Sequence, residues 1–344
     1  MHPRRQTAST AAWWLMGSAV CWASLSPAAT PQPNQVRAAS AAVQAVADGP
    51  TCEPARPFYW EIGQASGPLA HGQAGGRAPD ATTVMPIASA SKWIYSAFVA
   101  QRRQGHLSED DIRFLSFRSG YTRFHNCLPM QSVGSCATRL RNGRGEPDPK
   151  TSGRFDYNGG HMQQHAVTMG LGDLGPSELA ATVRSTLSAL GPDWTFDYGQ
   201  AQPAGGGRTH ATAYARFLQG LLRGELALGA LLGQQATCTN PRTCPQAVYA
   251  PIPGSESWHY SLGHWVEDDP LVGDGAFSSP GAFGFYPWID AGRTTYGILA
   301  RSTWRGLGAD DEDDRPAVQS VECGRALRAA WFKALGSATD RATR

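Results

Sequence analysis

The chain has 344 residues, 41% of them hydrophobic, and 30 Lys and Arg against 28 Asp and Glu give a net charge of +2. That length holds one large domain or two intimate subdomains with a sizeable core. A near-neutral charge spread along the chain excludes a nucleic-acid surface. In chain order, His2-Pro3-Arg4-Arg5 is a basic start, residues 11–25 are mostly apolar, and Ser26-Pro27-Ala28 is a small-residue cleavage site. This is the pattern of a secretory signal over 1–28, with an apolar run too short for a membrane span. A lipid anchor on Cys21 fits poorly, because Val20 stands where a small residue belongs. Residues 29–50, rich in Ala, Pro, Gln and Val, read as a flexible leader.

The folded domain is expected over 51–336, with 337–344 as a tail. Residues 58–63 are aromatic and extended, a strand. An apolar helix runs from Ser89 to about Arg103. A helical insert is expected over about 104–245, with helical stretches near 163–170, 177–191 and 209–225. Residues 281–290 and 294–303 alternate like strands joined by a turn at 290–292, and a helix closes the chain over 317–335. An early strand, late strands and helices between them predict an α+β fold. Its antiparallel sheet is formed by both chain ends and flanked by helices, with a large helical insert. The acidic run 310–314 reads as a solvated loop.

Of seven cysteines, Cys21 leaves with the signal and six remain, an even number suited to an oxidising compartment, periplasmic or extracellular. Proximity pairs Cys127 with Cys136 and Cys238 with Cys244, which leaves Cys52 for Cys323. No Cys-x-x-Cys occurs and the histidines are scattered, so no metal or other cofactor is expected. His161 and His165, four apart, read as structural or site-lining.

Ser89-Ala90-Ser91-Lys92 carries the chemistry. Residues three apart share a helix face, so the spacing brings the Lys92 amine to the Ser89 hydroxyl. Serine needs a base, and a desolvated lysine can act as one near neutral pH. The helix start adds free N–H groups where an oxyanion develops. Pro86, Ile87, Trp93, Ile94, Ala97 and Phe98 surround the motif with a buried face.

Four segments together resemble the serine beta-lactamase and penicillin-binding-protein superfamily, closest to the branch of class C beta-lactamases and their related carboxypeptidases, esterases and amidases. They are Ser89-Ala90-Ser91-Lys92, residues 114–121 ending in Ser119-Gly120-Tyr121, residues 155–161 around Tyr157-Asn158-Gly159, and residues 277–284 around Ser279-Pro280-Gly281. The resemblance spans about 55–335 and implies a beta-lactamase-like fold. It further implies that Ser89 is the nucleophile, that Lys92 and Tyr157 are its proton-transfer pair, and that the N–H groups of Ser89 and Ala282 stabilise the oxyanion. Gly281, Ser279 and Asn158 would border the substrate. Asn158 falls one place early for the family's Tyr-x-Asn, and Ser279-Pro280-Gly281 lacks the Lys or His that binds a substrate carboxylate. The expectation is a secreted serine hydrolase acting on a small ester, amide or peptide-like substrate. Beside it stand a penicillin-interactive carboxypeptidase or beta-lactamase, and a non-catalytic binding protein on the same fold. A Gly-x-Ser-x-Gly elbow is absent from the sequence, against a Ser-His-Asp hydrolase.

Overall fold

The computed structural model describes residues 31–305, 307 and 311–342, so the expected signal and Cys21 lie outside the described residues. In chain order the first elements are α1 (Pro33–Ala47), β1 (Phe58–Gln64), β2 (Gly67–Ala74), β3 (Met85–Pro86), α2 (Ser91–Arg102) and α3 (Glu109–Leu115). There follow α4 (Val133–Ala137), β4 (Phe155–Asp156), α5 (Gly160–Ala166), α6 (Pro176–Thr186), β5 (Asp197–Tyr198), β6 (Gly207–Thr209) and α7 (Ala211–Leu222). The chain ends with β7 (Thr237–Cys238), β8 (Ala247–Tyr249), β9 (His259–Ser261), β10 (His264–Glu267), β11 (Ala276–Ser278), β12 (Tyr286–Ile289), β13 (Thr295–Ala300) and α8 (Pro316–Ala342).

An eight-stranded sheet runs in the order β2-β1-β13-β12-β11-β10-β9-β7. One strand in from the β2 edge, the first strand pairs antiparallel with the last, Tyr59 opposite Ala300 and Gly63 opposite Tyr296. Every residue of β13, and all of β1 but Gln64, is buried. The reason is that helices cover both faces. The Trp60 indole N–H donates to Gln44 of α1, while the next residue, Glu61, accepts from the Tyr296 hydroxyl, which also accepts from Gln219 of α7. Alternate strand residues point to opposite faces, so α1 and α7 sandwich the sheet.

Several expectations change. Residues 29–50 were expected as a flexible leader, yet 33–47 form α1. Pro33 starts it, and Ala39, Val43 and Ala47, four apart, are buried on one face. Cys52–Cys323 ties the turn after α1 to α8, and Cys127–Cys136 and Cys238–Cys244 are the other two bridges. Helix α8 extends to Ala342, so the tail expected from 337 begins within it. The insert expected over 104–245 also carries short strands, and α7 packs on the central sheet. Residues 281–284 are a turn between β11 and β12 rather than part of a strand. The Gly284 N–H bonds to the Gly281 carbonyl, and Pro280 has no N–H to extend the ladder.

Helix α8 is locked to the sheet by charge. Glu267 of β10, fully buried, accepts hydrogen bonds from Arg325 and Arg328 of α8 and from the Tyr286 hydroxyl of β12. Arg325 also pairs with Glu256, and Arg328 with Asp274.

Candidate active site

Ser89 sits in a single tight turn between β3 and α2, and the segment is fixed from two sides. On one side the Ile87 N–H donates to the Gly207 carbonyl of β6, and the Gly207 N–H donates to the Ser91 hydroxyl. Ser91 is fully buried and donates in turn to the Ala88 carbonyl at 2.6 Å. On the other side the Ser279 hydroxyl donates to the Ser89 carbonyl at 3.1 Å. Between these anchors Ala88 takes φ +43°, a left-handed backbone that costs a non-glycine residue about 1–3 kcal/mol and persists only where the surroundings hold it.

Gly281 belongs to the same clamp. A Cβ added there would collide with the Ile87 carbonyl oxygen. Gly281→Ala is therefore expected to push the 279–282 turn away from Ser89 and to cost about 1–3 kcal/mol as an overpacked contact. Thermal unfolding of the variant checks this, and an unchanged midpoint contradicts it.

The Lys92 ammonium nitrogen lies 2.8 Å from the Ser89 hydroxyl oxygen and 2.8 Å from the Ala204 carbonyl oxygen. Lys92 is only 4% exposed. Burial without a neighbouring carboxylate lowers its pKa to about 7. Its nitrogen stands 4.8 Å from the centre of the Tyr157 ring.

Tyr157 follows β4, which pairs in parallel with β8, and its N–H donates to the Tyr249 carbonyl. Its ring stacks on Trp265 at 5.2 Å. Burial pushes the phenol pKa well up, while hydrogen bonding with Ser89 and Trp265 pulls it part of the way back. The phenol therefore stays protonated at neutral pH.

Ser89, Tyr157 and Ala282 all line one cavity of about 380 Å³, together with Trp258, Trp265 and Pro280. Thus the structure brings Ser89, Lys92, Tyr157 and Ala282 together. Three other residues do something different from what the sequence suggests. The Asn158 side chain closes the turn into α5, accepting from the Gly160 N–H at 2.9 Å and donating to the Phe124 carbonyl at 3.3 Å. An amide one place early is thereby spent on the backbone rather than on the cavity. Ser279 and Gly281 likewise hold the Ser89 segment and do not line the cavity.

His161 and His165 have separate partners. His161 is fully buried between the Ser119 hydroxyl at 2.6 Å and the Asp156 carbonyl at 2.9 Å, and burial lowers its pKa to about 3. Its ring stacks on Phe117, which in turn packs on Tyr157. His165 bonds to Asp111 and Tyr95. Among the described residues no group of His, Cys, Asp and Glu is arranged to hold a metal ion.

Sequence reading missed Ala204, Trp265 and the clamp made by Ser91 and Gly207. Ser91 was inside the motif, and Trp265 closes an aromatic run begun at Trp258. The Ala204 carbonyl leaves no side-chain signal.

No protein-family model matches the chain, and no curated protein matches it by sequence. Solved structures do match. The D-amino acid amidase from Ochrobactrum anthropi SV3 superposes with a TM-score of 0.63 at 13% identity, covering 86% of this chain and 99% of that one. EstCE1, a hydrolase with promiscuous acyltransferase activity, gives 0.58 at 11% identity over 86% and 99%. A penicillin binding protein from Bacillus halodurans gives 0.55 at 12% identity over 83% and 99%. With its sheet closed by both chain ends, its flanking helices and these counterparts, the chain has a beta-lactamase-like fold.

Proposed function

We propose that this protein is an exported serine hydrolase that cleaves an ester or amide through an acyl-enzyme on Ser89. The observation that carries the proposal is the buried Lys92 nitrogen, 2.8 Å from the Ser89 hydroxyl with its pKa lowered to about 7. A buried cation is expensive, and no carboxylate is among the causes of its shift. A lysine kept there in spite of that cost has the properties of a general base. The amidase and the hydrolase with acyltransferase activity that share the fold support the reaction class. The signal-like segment 1–28 and three disulfides support export to the periplasm or beyond the cell. Among the described residues no helix is long and apolar enough to cross a membrane.

In this mechanism the Ser89 oxygen attacks the substrate carbonyl carbon as its proton passes to neutral Lys92. The N–H groups of Ser89 and Ala282 hold the resulting oxyanion. The C–O or C–N bond then breaks, and the leaving group takes a proton delivered through the Tyr157 phenol, which regains one from Lys92. Water attacks the acyl-enzyme, its proton returning through the same pair, and the acid departs to restore the Ser89 hydroxyl.

The proposal fixes a pH dependence. Below pH about 7 Lys92 is charged and cannot accept the proton, and above it the amine is free. His161 stays neutral through this range and the Tyr157 phenol stays protonated. kcat/KM for an activated ester is expected to rise through a single limb near pH 7 and level off above it. A profile that is flat between pH 5.5 and 8.5, after correction for spontaneous hydrolysis, contradicts Lys92 as the base.

A further inference from the structure

We infer that the substrate of this site carries a neutral, apolar group of about one aromatic ring, held in the cavity beside Ser89, and no free carboxylate. This inference rests on the hydrolase reading above and names its substrate class. The cavity of about 380 Å³ lies near the lower end of the roughly 300–1,000 Å³ typical of small-molecule sites. It therefore suits a single ring or a branched chain better than a peptide. Its walls are Trp258 just before β9, Trp265 on β10, Ile252 and the prolines around it on the loop after β8, and Val318 and Val321 on α8. Trp258 and Trp265 are 1% and 2% exposed and pack edge to face, so the floor is rigid and pre-formed.

The polar groups facing the cavity are few. Ser89 and Tyr157 belong to the chemistry, and Tyr249 adds one hydroxyl. Among the described lining residues Arg315 alone is charged, and it is already engaged within the protein. On the strand side the lining residues are Pro280 and Ala282, with Ser279 just behind them in sequence. The Ser279 hydroxyl is committed to the Ser89 carbonyl, and proline presents no donor. A carboxylate placed here would have only Arg315, which already holds an interaction within the protein, to replace its water, whereas a ring would lose water at a gain.

The test uses the purified, disulfide-bonded mature chain and 4-nitrophenyl esters that share one leaving group. Fluorophosphonate labelling of the chain, lost in Ser89→Ala, first establishes that the nucleophile is competent. Then kcat/KM is measured for the acetate, the phenylacetate, the valerate and the hydrogen glutarate, each divided by its alkaline hydrolysis rate. The phenylacetate is expected to exceed the acetate by at least about tenfold, the least that burying a ring-sized apolar group provides. The valerate is expected to exceed the hydrogen glutarate, which differs chiefly by its terminal carboxylate, by at least about tenfold. Val321→Trp fills the cavity and is expected to shrink the phenylacetate-to-acetate ratio. If that variant fails to fold, the wild-type series decides alone. An acetate as good as the phenylacetate, or a glutarate as good as the valerate, overturns the inference. Labelling without turnover of any ester overturns it while leaving the nucleophile in place. Absence of labelling defeats the hydrolase reading, and this inference falls with it.

Discussion

Lys92→Met is expected to lower kcat/KM by about 10²–10⁴-fold, the range supplied by a positioned general base, and at the same time to make the protein more stable. The two effects have one cause. The folded pKa of Lys92, about 7, lies below the value of 10.5 that the group has when solvated. Between these values the unfolded chain binds a proton that the folded chain does not. Stability therefore falls as pH drops from about 10.5 to 7, and the full penalty persists below 7. Methionine keeps the apolar stem, fills a similar volume and needs no proton. The lost bonds to Ser89 and Ala204 offset part of the gain, so the net stabilisation at pH 7 is expected to be on the order of 1–3 kcal/mol, and to shrink toward pH 10. Urea unfolding at pH 7 and pH 9.5, beside ester turnover, checks both halves. A variant with full turnover, or one less stable at pH 7, contradicts the account.

The second large effect lies away from the cavity. Glu267→Ala removes the carboxylate that Arg325 and Arg328 share under α8. Arg328 is 1% exposed, and it keeps only Asp274, a half-exposed partner, among carboxylates. Removing one member of a buried ion network leaves uncompensated charge and costs about 3–5 kcal/mol. Because α8 also supplies Val318 and Val321 to the cavity, its loosening is expected to reach the site. The Glu267 pKa is held below its ordinary value by the two guanidinium groups, against the opposing effect of burial. Its contribution is therefore present above the ordinary carboxylate range and is lost as pH falls through the lower folded value. A midpoint shift in urea at pH 7 that vanishes in strong acid is the expected signature, and an unshifted midpoint at pH 7 contradicts it.

How far the sequence could be read follows from where each signal resides. The closure of the sheet by both chain ends was legible because 58–63 and 294–303 are apolar, extended segments with no helical period. The Ser89–Lys92 contact was legible because the two residues lie three apart on the same turn. Helix α1 was not, since Ala39, Val43 and Ala47 bury small side chains whose apolar signal is weak until α8 is set against them. Residues 281–284 are apolar enough to suggest a strand. Their turn depends on Pro280 and on Gly284 at φ +97°, which a hydrophobic pattern does not register. Asn158 shows the same limit at one residue. The sequence placed an amide beside Tyr157, but only the backbone path between Phe124 and Gly160 decides where that amide points. The cavity was least legible, because Ser89, Tyr249, Trp265, Ala282 and Val321 come from five separate segments.

The central claim is that Ser89 is an activated nucleophile, and intact-mass analysis after treatment with a fluorophosphonate measures it most directly. The account predicts a single phosphonyl adduct on the wild-type chain, mapped to the peptide that contains Ser89, with a labelling rate that rises through pH 7 as Lys92 loses its proton. It predicts no adduct on a folded Ser89→Ala variant. An adduct retained by Ser89→Ala, or a folded wild-type chain left unlabelled across pH 6–9, would contradict it.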